Sequence, residues 1–394
     1  MILDHNQTYY KEINMNINAL IHTLQTVMPQ IAESYCIVNG AVLDLNEVQN
    51  MGYDEFSERA KKNMPLKLYK YFPNHTIEIK DNSVNYSIQA LKNNTIFMQS
   101  PSLFDDVYDS DISLDYNDYE KIRLLEYCRR CDLNVCESMT TQELGNILLQ
   151  TIGNSFNLTG DFSAIFKQKP ISELEELSNA YFLLNLKKEI LKDPNWGTAL
   201  SRVILSDFKE YCQHLQNIFR ATCFATTPYS QLMWGGAYAN FHKGFCVEYT
   251  ILSQDLQYQD LFLNLFPMIY CKIRPNMTKR LAKIENKELT KEILWDIYFH
   301  GALRKSIDWA FQNEWRLLLP MKKHLTSDSY CIPFFPITKV FLGNRMSQES
   351  RKEIIEICHD RKIPYSGVVR NPNVFEMQEC PTKCEDCTKH TLIF

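Results

Sequence analysis

The chain has 394 residues, of which 45% are hydrophobic and 23% charged, a composition that allows a sizeable buried core and is not typical of long disordered regions. Its formal net charge of −5 gives no general attraction to phosphate backbones, so we expect nucleic acid not to be a partner. No run of about 18 apolar residues occurs, and the N-terminus lacks a basic region followed by an apolar run. The sequence therefore predicts no membrane partner, no signal peptide and a cytoplasmic location.

Residues 1–64 are predicted to be a helical segment. Apolar residues recur from Ile13 to Ile31 at spacings of three and four, which places them on one face of an amphipathic helix. Such a helix can bind a partner or form a coiled coil, or it can pack on its own domain. The second interpretation is favoured because fewer than three full heptads are present.

The predicted core begins at residues 65–117 with the alternating strand 66–71, a helix at 84–91 and a second strand from Thr95. Residues 118–215 are predicted to be a helical insertion. Its second helix has Thr140 as N-cap and Glu143 three residues later, the pattern of a capping box.

Residues 216–375 are predicted to be the second part of the core, with five strands followed by a helix over 347–361. The strands are expected at 221–225, 244–249, 262–271, 315–319 and 339–342. Residues 376–394 form a short tail rich in cysteine. The fold class is therefore α+β: a mixed sheet core interrupted by a helical insertion, with a helical N-terminus.

Three separated segments resemble the bacterial domain of unknown function 2971 family. They are LYKY at 68–71 with NTIF at 94–97 and SPSLFDD at 100–106, LMWGGAYANFHKGFCVEY at 232–249, and Lys305, Trp309 and NEWRL at 313–317 with ITKVFLG at 337–343. The second segment is the most diagnostic. Together they cover roughly residues 66–370, with the helical insertion between them, and they imply an uncharacterised bacterial protein.

Glu314 and Arg316 are two residues apart, so a strand places both on one face. A carboxylate beside a guanidinium stays ionised and can accept a ribose hydroxyl or stabilise an oxocarbenium ion. This arrangement occurs in enzymes that split the nicotinamide–ribose bond of NAD. We therefore hypothesise an ADP-ribosyltransferase-like pocket with NAD as substrate and Glu314 and Arg316 as catalytic residues. The alternative is a structural ion pair.

The aromatic residues of the resembling segments are the candidate ligand-binding residues of this pocket. Tyr69, Tyr71, Trp234 and Tyr238 would stack on nicotinamide or adenine, or else belong to the core. His242 is a candidate catalytic base because histidine titrates near neutrality, and it can equally be a loop residue before Gly244.

The tail contains three cysteines and a histidine with the spacing of a zinc site. The predicted metal ligands are Cys380, Cys384, Cys387 and His390, and a tail without metal is the alternative. Cys128, Cys131 and Cys136 form a weaker candidate without an obvious fourth ligand. Asp105, Asp106 and Asp109 can hold a divalent cation or cap a turn.

Two functions remain open at this point. The chain is either an enzyme acting on a small nucleotide-type ligand or a non-catalytic binding or scaffold module with a zinc-binding tail. The oligomeric state is open.

Overall fold

A computed structural model describes residues 33–79, 82–104, 106, 108–159, 173–193, 195–274, 276–281, 291–321 and 329–381. The stripe from Ile13 to Ile31 therefore lies outside the described residues. Among the described helices, none is both long enough and apolar enough to cross a membrane.

The described helices are α1 (Leu45–Gln49), α2 (Tyr53–Lys62), α3 (Tyr86–Asn93), α4 (Tyr116–Arg130), α5 (Thr141–Thr159), α6 (Glu173–Lys192), α7 (Trp196–Asn217), α8 (Gln231–Gly235), α9 (Gln259–Leu263), α10 (Thr278–Leu281), α11 (Lys291–Ile297) and α12 (Gln348–Asp360). Short 3-10 helices cover Pro101–Leu103, Ala237–Ala239, Leu256–Tyr258 and Ile307–Gln312, and a π-helix covers Tyr298–Ala302.

The described strands are β1 (Tyr35–Val38), β2 (Ala41–Asp44), β3 (Lys67–Phe72), β4 (Ile77–Ile79), β5 (Asn82–Val84), β6 (Thr95–Gln99), β7 (Phe219–Phe224), β8 (Phe245–Thr250), β9 (Leu265–Pro267), β10 (Ile269–Cys271), β11 (Arg304–Ser306), β12 (Trp315–Pro320), β13 (Ser329–Pro333), β14 (Ile337–Leu342), β15 (Tyr365–Arg370) and β16 (Met377–Glu379).

The strands pair into mixed sheets, so the predicted α+β class is confirmed. One five-stranded sheet has the order β13-β6-β7-β12-β9 and a second has the order β16-β15-β14-β8-β3. A backbone bridge between Tyr69 and Ala225 connects them, with N···O distances of 2.9 and 2.7 Å. A four-stranded sheet has the order β11-β10-β1-β2, and β4 pairs with β5.

The chain forms two compact units. The described residues within Met1–Ser110, Asn217–Ile273 and Leu303–Phe394 form the sheet unit. Those within Asp111–Gln216 and Arg274–Ala302 form the helical unit. The described residues between 274 and 302, a range that the sequence assigns to the second part of the core, therefore belong to the helical unit.

Side-chain alternation builds the core of the sheet unit. In β6, Ile96 and Met98 are fully buried, whereas Phe97 between them is exposed. The rings of Phe224 and Phe334 stack in this core with centroids 4.6 Å apart. In the helical unit, leucines of α4 to α7 bury their side chains around Tyr119. The predicted capping box is confirmed, because Thr140 Oγ1 accepts from the Glu143 amide and Glu143 Oε2 accepts from the Thr140 amide.

Two predictions of local structure are wrong. A wholly helical segment over 1–64 is contradicted by the hairpin β1–β2, whose turn residues Asn39 and Gly40 both have positive φ. A single strand over 262–271 is contradicted by α9, β9 and β10. β9 pairs with β12 as far as Pro267, the Met268 amide still donates to Glu314 O at 2.9 Å, and the chain pairs with β1 from Ile269 onward.

Candidate functional site

Four charged side chains form a buried cluster in the sheet unit, and it is called the charge cluster below: Asp109, Lys305, Glu314 and Arg316. Arg316 Nη1 and Nη2 lie 2.6 and 2.9 Å from the two carboxylate oxygens of Asp109. Arg316 Nε and Nη2 also contact Glu314 Oε1, at 2.8 and 2.6 Å. Lys305 Nζ lies 3.2 Å from Glu314 Oε2 and 3.3 Å from Asp109 Oδ2. Two positive and two negative charges thus compensate one another.

Strand alternation produces the central pair of this cluster. Trp315 points into the hydrophobic core, so Glu314 and Arg316 on either side of it point to the opposite face. Both are buried, at 5% and 0% exposure. The prediction that these two side chains share a face is confirmed by their contact.

The charge cluster holds its carboxylates ionised. Burial by itself raises the pKa of Asp109, but Arg316 and Lys305 lower it to about 2. Burial likewise opposes ionisation of Glu314, and the same two cations bring its pKa below the ordinary value. Burial lowers the pKa of Lys305, and the two carboxylates more than reverse this, so the ammonium stays charged.

Hydrogen bonds extend the charge cluster to neighbouring polar groups. Lys305 Nζ donates to Gln312 Oε1 at 2.9 Å, and Gln312 Nε2 donates to the Tyr238 hydroxyl at 2.8 Å. The Tyr270 hydroxyl accepts from the Glu314 amide at 2.8 Å. Tyr238 is therefore connected to the cluster through one side chain, whereas both oxygens of Glu314 already have cationic partners.

The other predicted aromatic residues pack with their polar atoms bonded to the protein. The Tyr71 hydroxyl donates to Thr227 O at 2.9 Å, and Trp234 Nε1 donates to Pro228 O at 2.6 Å. The Tyr71 and Trp234 rings are buried and meet edge to face, with centroids 5.3 Å apart. The half-buried Tyr69 donates to the Glu248 carboxylate at 3.1 Å.

His242 lies in a turn with an unusual backbone. Asn240, Phe241 and His242 have consecutive φ values of 47°, 54° and 69°, a left-handed conformation that costs about 1–2 kcal/mol per residue. The turn is fixed from two sides. His242 N donates to Trp234 O at 2.9 Å, and His242 O accepts from Arg345 N at 3.0 Å. The imidazole stacks on the Trp234 ring with centroids 6.3 Å apart.

This turn forms one wall of a cleft of about 780 Å³ in the sheet unit. The cleft is lined by Gln231, His242, Asn344, Arg345 and residues 369–378, 380 and 381. His242 Nδ1 and Asn344 Oδ1 are buried and have no hydrogen-bond partner among the described residues. The exposed Arg345 guanidinium likewise makes no hydrogen bond or ion pair within the described part of the chain.

The electrostatics of the cleft make the imidazole neutral near pH 7. Burial and the positive charge of Arg345 both lower the pKa of His242 below its ordinary value. The lining also contains Phe375, whose side chain is 95% exposed, and the amides of Asn371 and Gln378. Cationic, amide and aromatic groups, together with the acidic Glu376, thus line one cleft.

The structure does not bring the predicted site residues into one cleft. Glu314 and Arg316 belong to the buried charge cluster and Tyr238 adjoins it, whereas His242 lines the cleft, with Trp234 buried behind it. Sequence reasoning did not identify Asp109 as the partner of Arg316, and it did not identify Asn344 and Arg345. For Asn344 and Arg345, the local sequence signal of a site is their position directly after Gly343, at the end of β14.

Three of the four predicted zinc ligands in the tail lie outside what the structure describes. Cys380 is buried beside the cleft and its amide donates to Gly367 O at 2.8 Å. Cys384, Cys387 and His390 are not among the described residues, so the zinc site stays a prediction. Over the described ranges, no group of three or more His, Cys, Asp or Glu side chains is arranged to hold a metal ion, and this includes Cys128, Cys131 and Cys136.

The chain was compared with protein-family models, with curated proteins and with solved structures, and none of them matches it. The resemblance to the domain of unknown function 2971 family stays a prediction.

Proposed function

We propose that this protein binds a small, phosphate-bearing ligand of the nucleotide type in the cleft beside His242 and Arg345. The observation that carries the proposal is the Arg345 guanidinium at the cleft wall, with no partner within the described residues, beside two buried polar atoms that also lack one. Buried polar atoms without partners are costly, so a ligand that satisfies them gains affinity.

The chemistry of the lining favours a phosphate joined to an aromatic heterocycle. A planar guanidinium matches the oxygens of a phosphate and donates two parallel hydrogen bonds. The side-chain amides of Asn344, Asn371 and Gln378 can pair with the edge of a base, and the exposed Phe375 ring offers a surface for stacking. A volume of about 780 Å³ accommodates a ligand of nucleotide size.

The geometry supports binding more directly than the predicted chemistry at Glu314. Both oxygens of that carboxylate contact Arg316 or Lys305, and the residue is buried. A nucleophile or general base needs an oxygen within hydrogen-bond distance of the substrate. The arrangement therefore supports a structural role for Glu314 and Arg316, and cleavage of NAD at Glu314 would require the charge cluster to open.

The test is isothermal titration of the purified protein with NAD, ATP and adenosine. We expect both phosphorylated compounds to bind and adenosine to bind at least about tenfold more weakly, because one charge-assisted contact is lost. Arg345→Gln should weaken the phosphorylated compounds by a similar factor. Arg59→Gln, which removes an exposed arginine of the same unit, is the matched control and should not. Equal affinity of the wild-type protein and Arg345→Gln would overturn the proposal.

A second candidate function is catalysis in the same cleft with His242 as general base. The supporting observation is the lowered pKa of this imidazole, which keeps it unprotonated at neutral pH. Release of nicotinamide from NAD should then be lost in His242→Asn, a substitution that tolerates a left-handed backbone. The same release should persist in Glu314→Gln. Loss only in Glu314→Gln would assign the chemistry to the charge cluster instead.

A further inference from the structure

The helical unit contains a second concave site, a groove of about 370 Å³ lined by residues of α4, α6 and α7. Its floor is apolar and formed by buried side chains of Phe182, Val203 and Ile204. Its two ends are charged, and the charges differ in sign.

The end nearest the α6–α7 connection is basic. Lys188, Glu189 and Arg202 line it and give a net charge of +1. Arg202 Nη1 lies 3.8 Å from Glu189, and its Nη2 contacts Asp193. Arg202 Nε is buried and has no hydrogen-bond partner among the described residues. A buried donor in this state favours a ligand with an anionic acceptor.

The opposite end of the groove is acidic. Arg123, Asp207 and Glu210 line it and give a net charge of −1. Asp207 Oδ2 accepts from Arg123 Nε at 3.2 Å and from the Tyr119 hydroxyl at 3.0 Å. Glu210 Oε2 accepts from the Tyr181 hydroxyl at 3.3 Å. Both carboxylates line the groove, and Glu210 Oε1 also accepts from the Ser206 hydroxyl at 3.4 Å.

The separation of the two ends selects the shape of the ligand. Arg202 precedes Asp207 and Glu210 by five and eight residues on one helix, which corresponds to about 8–12 Å along its axis. Charges on a single carbon, as in a free α-amino acid backbone, cannot reach both ends. A straight chain with a terminal amine and a terminal carboxylate can, and its methylenes would cover the apolar floor.

We propose that this groove binds a linear zwitterion, with the ligand carboxylate at Arg202 and Lys188 and the ligand ammonium at Asp207 and Glu210. Recognition requires both ends at once. A molecule with only one of the two charges covers the charged residues at the other end of the groove without pairing with them. Such a molecule should therefore bind more weakly.

The experiment uses three matched probes, 6-aminohexanoate, hexanoate and hexylamine, titrated calorimetrically into the full chain. We expect 6-aminohexanoate to bind at least about tenfold more tightly than either single-charge probe, because one charge-assisted contact corresponds to about that factor. Comparable affinity of all three probes, or no binding, would overturn the proposal.

Two variants at exposed positions test the orientation. In Glu210→Gln the advantage of 6-aminohexanoate over hexanoate should shrink, although Asp207 remains, and in Lys188→Met its advantage over hexylamine should shrink about tenfold. Glu137→Gln removes an exposed carboxylate elsewhere in the same unit and should change nothing. An unchanged preference for the zwitterion in both groove variants would contradict the assignment, and circular dichroism of each variant verifies that the helices are retained.

Discussion

Arg316 donates two parallel hydrogen bonds to Asp109, a residue 207 positions earlier in the chain, and both side chains are almost completely buried. Burying charges costs several kcal/mol per ion, and only good geometry with full compensation offsets this. The charge cluster meets both conditions, because every charge in it contacts one of opposite sign. It therefore fixes how the segment around Asp109 packs against β12.

Replacing Asp109 by asparagine should destabilise the protein strongly. The variant leaves Lys305 and Arg316 buried with one carboxylate between them, and removing one partner of a buried ion pair costs about 3–5 kcal/mol. Urea unfolding followed by tryptophan fluorescence measures the change. Asp360→Asn, at the exposed end of α12, is the matched control and should alter the unfolding free energy by less than about 0.5 kcal/mol. A loss of less than about 0.5 kcal/mol in Asp109→Asn would contradict a structural role of the charge cluster.

The same carboxylate predicts a pH dependence with a defined sign. The pKa of Asp109 is about 2 in the folded protein and about 3.9 in an unfolded chain, so the unfolded state binds the proton more readily. The resulting stabilisation, about 2–3 kcal/mol, is fully present above about pH 4 and is lost as the pH falls towards 2. Unfolding free energies at pH 5 and pH 3 should therefore differ more for the wild-type protein than for Asp109→Asn. An identical difference for the two proteins would contradict the assigned pKa.

His242 should titrate below the ordinary histidine pKa of about 6.5. Burial disfavours the imidazolium, and the Arg345 cation repels it. NMR of the imidazole protons should show the pKa rising in Arg345→Gln and also when inorganic phosphate is added, since an anion stabilises the charged ring. Arg59→Gln should leave the titration unchanged. A pKa at or above 6.5 in the wild-type protein would refute the described environment.

Substitution of Gly343 by alanine should be destabilising because no space exists for a Cβ atom. That atom would lie 2.6 Å from Gly244 O and closer still to His242 O, both backbone atoms that cannot rotate away. We expect a loss of about 1–3 kcal/mol or more, the range for overpacking. Gly52→Ala is the control, since nothing lies within 4 Å of its Cβ position. An unchanged free energy of unfolding in Gly343→Ala would contradict this prediction. It would show that the turn of residues 240–242 can move to make room for the Cβ atom.

Local patterns predict the elements of this fold better than its long-range pairings. Alternation in β6 and β12, helical periodicity in α4 to α7 and the cap at Thr140 depend on residues within one turn or strand, so the sequence predicts them. The Asn39-Gly40 pair is an equally local turn signal, and a helical prediction over residues 1–64 does not include it. The change of pairing partner between β9 and β10 has no local signal, because it depends on two sheets that meet at Met268.

The sites show the same limit. The spacing of Glu314 and Arg316 predicts that they share a face, but it does not predict that Asp109 closes the group and excludes a ligand. Likewise, Arg345 is one exposed arginine among many in the sequence. Its position beside the cleft depends on the fold. The lack of a Cβ at Gly343 lets the chain pass close to His242 O, and the Arg345 amide donates to that oxygen.

The change of sheets at Met268 has a mechanical consequence. Its neighbours Pro267 and Ile269 pair with different sheets, and its amide donates to Glu314 O at 2.9 Å. No loop separates the two pairings, so tension applied to the N-terminal hairpin passes directly into the backbone that carries the Glu314 carboxylate. The two sheets should consequently unfold as one cooperative body, with the Met268 amide among the slowest to exchange with deuterium.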